Sequence, residues 1–224
     1  YMLILLPFVL YLGAQGLMGM LHLEDYYPAG TSDLAIIQSV IIFIAAVGGA
    51  YAIFGGLKAV AVSDTFNGVG LLVGGLMITW FSLQTIAASS GSITAALSEI
   101  KAQNADAFQS LGQSTEDVSW PTLFTGVLLL NFFYWCTNQQ IIRRTFAAKN
   151  LAEGQKGVLL AAFFKILAPL ILVLPGIMAA HLVTQDESFA AKVPDSNFAY
   201  GALVSHVLPS WLTGFFAAVV VGSI

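Results

Sequence analysis

Residues 157–183, GVLLAAFFKILAPLILVLPGIMAAHLV, decide the fold class. About 20 residues of helix cross the hydrocarbon core of a bilayer, and this run is longer, with Lys165 as its one lysine and no arginine or acidic residue. Strands of a membrane barrel would alternate apolar and polar residues, and this run does not alternate. Because lipid offers the backbone no hydrogen bonds, the run is predicted to be a membrane-spanning helix.

Five further apolar runs are predicted to be membrane helices by the same criterion, and the third has an alternative start nearer Lys58. Together they predict an all-α integral membrane protein with one transmembrane domain over residues 1–224. The chain begins and ends within apolar runs, so it is interpreted as truncated at both ends. The six predicted helices lie at about 1–21, 34–54, 68–88, 121–139, 157–183 and 211–224.

The composition agrees with a membrane location and excludes several classes of function. Hydrophobic residues make up 58% of the 224 residues and charged residues 9%, whereas soluble domains are about a quarter charged. The net charge of −4 argues against a nucleic-acid partner. None of the three histidines has a second histidine or a cysteine at helical spacing, so no metal site other than one for sodium is expected. The sequence contains no nucleophile elbow, phosphate loop or HExxH motif, and an enzyme is not predicted.

The distribution of basic residues predicts the orientation, because loops rich in Lys and Arg stay in the cytoplasm. The second and fourth connections between predicted helices hold five basic residues, and the other three hold two. The loop Gln140–Lys156 is therefore placed in the cytoplasm. The protein is predicted to be a multi-pass protein of the plasma (cell inner) membrane. Residues 93–108 are predicted to form a partly helical external cap. The five basic residues are Lys58, Arg143, Arg144, Lys149 and Lys156.

Lys165 is the first candidate functional residue, because a charge at membrane depth is costly. It lies eight residues into the fifth run, which is about 12 Å at 1.5 Å per residue. One interpretation is that its long side chain reaches back to the cytoplasmic interface. The other is that its ammonium group donates hydrogen bonds into a polar cavity.

A second group of polar residues lies in the fourth run. Asn131, Tyr134 and Asn138 are spaced i, i+3, i+7, so on a continuous helix they share one face. Amide groups and a phenol suit a polyhydroxylated ligand. The alternative is that Asn131 bonds to a neighbouring helix and that Tyr134 serves in packing.

Weaker signals lie before and within the third run. Asp64 is interpreted either as an acid that helps a cation leave or as the cap of a helix starting at Thr65. The spacing of Gly70 and Gly74 indicates a close contact between two helices.

Two stretches carry a resemblance to a known family. Residues 131–157, NFFYWCTNQQIIRRTFAAKNLAEGQKG, resemble the signature region of the sodium:solute symporter family, particularly its sodium/sugar cotransporters. Residues 55–67, GGLKAVAVSDTFN, resemble a second motif, with Asn67 where Gln is commoner. The resemblance extends from about Tyr11 to the end of the chain.

The resemblance implies a fold of two inverted five-helix repeats, of which the six helices would be core helices three to eight. Core helices one, two, nine and ten would come from the rest of the full-length chain. It also implies symport of a glucose-like or galactose-like sugar by alternating access, with sodium as the coupling ion and no other cofactor.

The resemblance further implies roles for six residues. Asn131 and Lys165 would bind the sugar, and Tyr134 would close the site toward the cytoplasm. Asp64 would lie on the cation pathway. Part of the sodium site would be the carbonyl of Gly222 or, if the register shifts, the hydroxyl of Ser223.

Two kinds of alternative remain open. The solute could be inositol, sialic acid, a nucleoside or an organic acid instead of a glucose-like sugar. The chain could also belong to a symporter-like membrane module of a sensor kinase.

Overall fold

The computed structural model describes residues 2–109, 112 and 119–223, together with their side chains except those of Met2 and Gln140. These residues form helices and turns, and no strand occurs among them. The prediction of an all-α membrane protein is confirmed. The helices are α1 (Met2–Leu21), α2 (Asp33–Ser90), α3 (Ile93–Gln103), α4 (Gly126–Cys136), α5 (Gln139–Phe146), α6 (Leu151–Ala168), α7 (Leu174–Gln185), α8 (Glu187–Ala190), α9 (Ala199–Val207) and α10 (Ser210–Ser223).

Three helical stretches within the described residues are long and apolar enough to cross a membrane. They are Leu3–Leu21, Asp33–Ser90 and Leu151–Gln185, and the shorter Ser210–Ser223 is also apolar. The last of the three long stretches is α6, a π-helical turn at Pro169–Val173 and α7.

Helix α2 covers both the second and the third predicted helix. The residues between them are helical too, apart from a break at Gly56, where φ is 62° and ψ is −175°. Glycine adopts this conformation without a steric penalty, so Gly56 ends one straight helix and Leu57 begins the next. Because the helix runs through Ser63–Thr65, the interpretation of Asp64 as a helix cap is wrong.

The fourth predicted helix, at 121–139, differs more from the structure. A 3-10 turn, Trp120–Phe124, precedes α4, which ends at Cys136. With 11 residues, α4 is about 16 Å long, which is shorter than the hydrocarbon core. The helix predicted within residues 93–108 is present as α3 followed by a 3-10 turn at Asp106–Phe108.

The chain divides into two compact units. The first contains the residues up to Gln103 and those from Pro169 onward, and the second is Asn104–Ala168. The core of the first unit is apolar and is contributed by α1, α2, α3, α7, α9 and α10, with buried members that include Ile78, Ile100, Met178, Leu203 and Phe216.

The π-helical turn in the first unit is stabilised by side chains from other helices. Pro175 has no N–H, so it can donate neither an i+4 bond to the Ile171 carbonyl nor an i+5 bond to the Leu170 carbonyl. The Thr79 hydroxyl lies 2.6 Å from the Leu170 carbonyl oxygen, and the Tyr200 hydroxyl lies 3.4 Å from that of Ile171. Irregular backbone at this place is therefore satisfied by protein groups, as a membrane segment requires.

The contact predicted from Gly70 and Gly74 is confirmed. A Cβ atom on Gly70 would lie 2.8 Å from Val219 of α10, and one on Gly74 would lie 2.3 Å from Phe216. Glycine at these two positions lets α2 and α10 approach more closely than any other residue would allow.

Candidate functional site

Lys165 of α6 contacts two aromatic rings of α4 in the second unit. Its Nζ atom lies 5.2 Å from the ring centroid of Tyr134 and 5.0 Å from that of Trp135. The two rings meet edge to face, with centroids 5.6 Å apart. An ammonium group within about 6 Å of a ring face is attracted by the ring quadrupole. The structure thus brings together two of the residues that were predicted to act on one solute.

Asn131 lies one turn before Tyr134 on α4. Its side chain is exposed, and its Nδ2 donates to the Val127 carbonyl at 2.8 Å. The amide has a second N–H and an oxygen that accepts hydrogen bonds, so this contact uses one part of its capacity. Asn131 and Tyr134 are on one face of α4, as the spacing predicted.

Asn138 does not belong to that face, and the prediction of a stripe of three residues is wrong in this respect. Helix α4 ends at Cys136, and Asn138 is only 4% exposed. Its backbone carbonyl accepts from the N–H groups of Ile141 and Ile142 at 3.1 and 3.0 Å, so Asn138 lies at the N-terminus of α5, just before Gln139. Apolar run length alone did not indicate this break.

Trp135 is a residue whose part in the site was not predicted from the sequence. No part in solute binding was predicted for it, yet it contacts Lys165 as closely as Tyr134 does. It also lines an open, mainly apolar groove of about 460 Å³ in the second unit. The groove is formed by Trp135, Cys136, Ile141, Ile142, Thr145, Phe146 and Val158.

The residues predicted for the cation lie in the first unit. Asp64 is half-buried within α2, and Gly222 and Ser223 are at the end of α10. The Gly222 carbonyl accepts a hydrogen bond of 2.6 Å from Asn67 Nδ2. The Ser223 hydroxyl donates to the Val220 carbonyl of its own helix at 2.7 Å. Among the described residues, no group of three or more His, Cys, Asp and Glu side chains is placed to hold a metal ion.

The long apolar helices and the polar residues set among them define a multi-pass membrane protein with candidate sites for a polar solute and a cation. A family model described as "Sodium:solute symporter family" matches residues 2–224, and the chain belongs to this family. The resemblance seen in residues 55–67 and 131–157 is thereby confirmed.

Individual relatives are similar over nearly the whole chain. The "Uncharacterized symporter YidK" of Escherichia coli (strain K12) is 44% identical over 98% of the chain and 36% of its own length. The "Sodium/glucose cotransporter" of Vibrio parahaemolyticus is 33% identical over 96% of the chain and 38% of its own length. The human "Sodium/myo-inositol cotransporter 2" is 30% identical over 96% of the chain and 33% of its own length. The chain spans about a third of the length of the curated relatives it matches.

Proposed function

We propose that the protein containing this chain moves a glucose-like or galactose-like sugar across the membrane by sodium-coupled alternating access. The observation that carries the proposal is the contact of Lys165 with Tyr134 and Trp135 one turn from Asn131. Two relatives support it, because one is named for sodium and glucose and the other for sodium and myo-inositol. Transport of this kind breaks no covalent bond, so an enzymatic role and a cofactor other than the sodium ion are not proposed.

The contact suggests how solute binding and gating are linked. A cation–π contact at an exposed site is worth about 0.5–1 kcal/mol, so the Lys165 ammonium exchanges the rings for sugar hydroxyls at small cost. Asn131 supplies an amide to the same solute. When Lys165 turns to the sugar, Tyr134 loses a partner and is free to move. Tyr134 then acts as the gate toward the cytoplasm.

The driving force is proposed to be the sodium gradient. Asp64 would serve the exit path of the ion, and the carbonyl of Gly222 or the hydroxyl of Ser223 would be part of its site, because oxygen ligands suit a hard cation. One charge crossing 100 mV contributes about 2.3 kcal/mol. By thermodynamic linkage, sodium favours the outward-open state only as far as it binds that state more tightly.

The membrane and orientation belong to the same proposal. We place the protein in the plasma (cell inner) membrane with the loop Gln140–Lys156 in the cytoplasm. The support is the excess of basic residues in that loop over the connections on the other side. A cysteine that replaces Lys149 should react with a membrane-impermeant thiol reagent only after the membrane is permeabilised.

The test is uptake of radiolabelled glucose, galactose and myo-inositol into proteoliposomes that contain the full-length protein, with and without an inward sodium gradient. Asn131→Ala and Lys165→Ala should each lose sodium-dependent uptake of the sugar. Lys101→Ala is the matched control, since it removes an exposed lysine from α3 and should transport normally.

The alternatives give different results in the same assay. Sodium-dependent uptake of myo-inositol alone would replace the proposed solute by inositol, which the name of the human relative favours. Sodium-dependent uptake of sialic acid, a nucleoside or an organic acid would reject the sugar but keep the symporter. If the folded protein moved no solute under any gradient, the membrane module of a sensor kinase would become the better hypothesis.

A further inference from the structure

Helices α2 and α10 contact each other in three successive layers. Residue numbers rise along one helix as they fall along the other, so the helices are antiparallel. In the first two layers a glycine of α2 faces a large apolar side chain of α10, which is a packing contact. The layers pair Gly74 with Phe216, Gly70 with Val219, and Asn67 with Gly222.

The third layer differs in chemistry, because the glycine is now on α10 and the side chain is polar. Asn67 Nδ2 donates to the Gly222 carbonyl at 2.6 Å. A Cβ atom on residue 222 would lie 2.7 Å from Asn67 Nδ2 and 2.8 Å from its Oδ1. A Cβ atom in this position would force the Asn67 amide to move.

The polar layer continues along α2 toward Asp64. Asn67 Nδ2 lies 3.4 Å from the Ser63 hydroxyl oxygen, one turn earlier on the same helix. Asp64 precedes Asn67 by three residues and therefore shares its face of α2. The amide thus ties Gly222 of α10 to the turn of α2 that carries the acid.

We propose that Asn67 is a positioning residue for the cation: its amide holds the Gly222 carbonyl in place and so sets sodium affinity without contacting the solute. This rests on the proposed function, in which Gly222 is part of the sodium site. A carbonyl oxygen has two lone pairs. The amide takes one and orients the second for the ion.

The experiment is equilibrium binding of radiolabelled sodium ion to the purified full-length protein, with no solute present. Asn67→Leu, which keeps the size but removes the donor, should raise the half-saturating sodium concentration about tenfold, equivalent to about 1.4 kcal/mol. Asn67→Gln, which restores the donor, should recover most of the affinity. The matched control is Thr65→Val, since the Thr65 hydroxyl bonds to the Ala61 carbonyl of its own helix.

Gly222→Ala disrupts the same contact between Asn67 and Gly222 from α10 and should weaken sodium binding similarly. The double variant should be no weaker than either single variant, because both remove one contact. A KM for solute that is unchanged at saturating sodium would separate this role from a general structural one. If the wild type binds sodium and Asn67→Leu binds it equally well, the inference is wrong. If the wild type binds no sodium, the proposed function itself fails.

Discussion

The packing of Gly74 against Phe216 makes a quantitative prediction about the α2–α10 contact. An added Cβ would lie 2.3 Å from Phe216 Cδ2 and 2.6 Å from Cε2. Carbon atoms prefer to be about 3.5–4.0 Å apart, so the ring would have to move by more than about 1 Å. Phe216 is only 3% exposed, so its ring is surrounded by other protein groups. Overpacking of this kind costs about 1–3 kcal/mol.

The comparison needs a control, because alanine also has a higher helix propensity than glycine by about 0.5–1 kcal/mol. Gly68 supplies it, since a Cβ there meets nothing within 4 Å and the residue is on the same helix. Gly68→Ala and Gly74→Ala share the propensity gain. The difference between them therefore isolates the clash, and Gly74→Ala should be less stable by about 1–3 kcal/mol.

The assay is unfolding of the full-length protein in mixed micelles with increasing SDS, followed by circular dichroism. Phe216→Leu should recover part of the loss in the Gly74→Ala background, because the smaller side chain makes room for the methyl group. Equal unfolding midpoints for Gly68→Ala and Gly74→Ala would refute the close contact. So would a loss in Gly74→Ala that Phe216→Leu leaves unchanged.

Two other substitutions test how the π-helical turn is stabilised. Thr79→Val should cost about 1 kcal/mol in the same unfolding assay because the Leu170 carbonyl loses its donor, whereas Thr85→Val, whose hydroxyl bonds to Phe81 in its own helix, should have no effect. Burial raises the pKa of Tyr200 to about 12, so the phenol ionises at a lower pH in the unfolded protein than in the folded one. The free energy of unfolding should therefore fall between pH 10 and 12, by at most about 1.4 kcal/mol per pH unit. Unfolding curves of Tyr200→Phe over that range should not show this fall, and an unchanged pH dependence would contradict the assignment.

Apolar run length was a good guide to which residues are helical and a poor guide to where helices end. It separates 34–54 from 68–88, but the structure continues as helix and changes direction at the single residue Gly56. It also joins residues 121–139, which the structure divides at Thr137 and Asn138. Hydropathy averages over many residues and does not register the φ and ψ angles of one.

The candidate site could be predicted only where its residues are neighbours in sequence. The i, i+3 spacing places Asn131 and Tyr134 on one face, and α4 confirms it. The contact of Lys165 with Tyr134 joins residues of two helices, and no local pattern encodes it. A signal did exist for Asn67: it continues the glycine spacing of α2 at positions 67, 70 and 74, but its partner lies 155 residues away.

The two kinds of contact between α2 and α10 have different consequences for function. Without a hydrophobic force between helices in lipid, close packing and hydrogen bonds hold them together. Water or an ion cannot replace the packing of Gly70 and Gly74 against α10, so this packing keeps the helices in register. The hydrogen bond from Asn67 to Gly222 joins polar groups, and the carbonyl oxygen keeps a second lone pair for water or an ion. In the proposed function, sodium would act on this layer, and the solute would act where Lys165 contacts Tyr134 and Trp135.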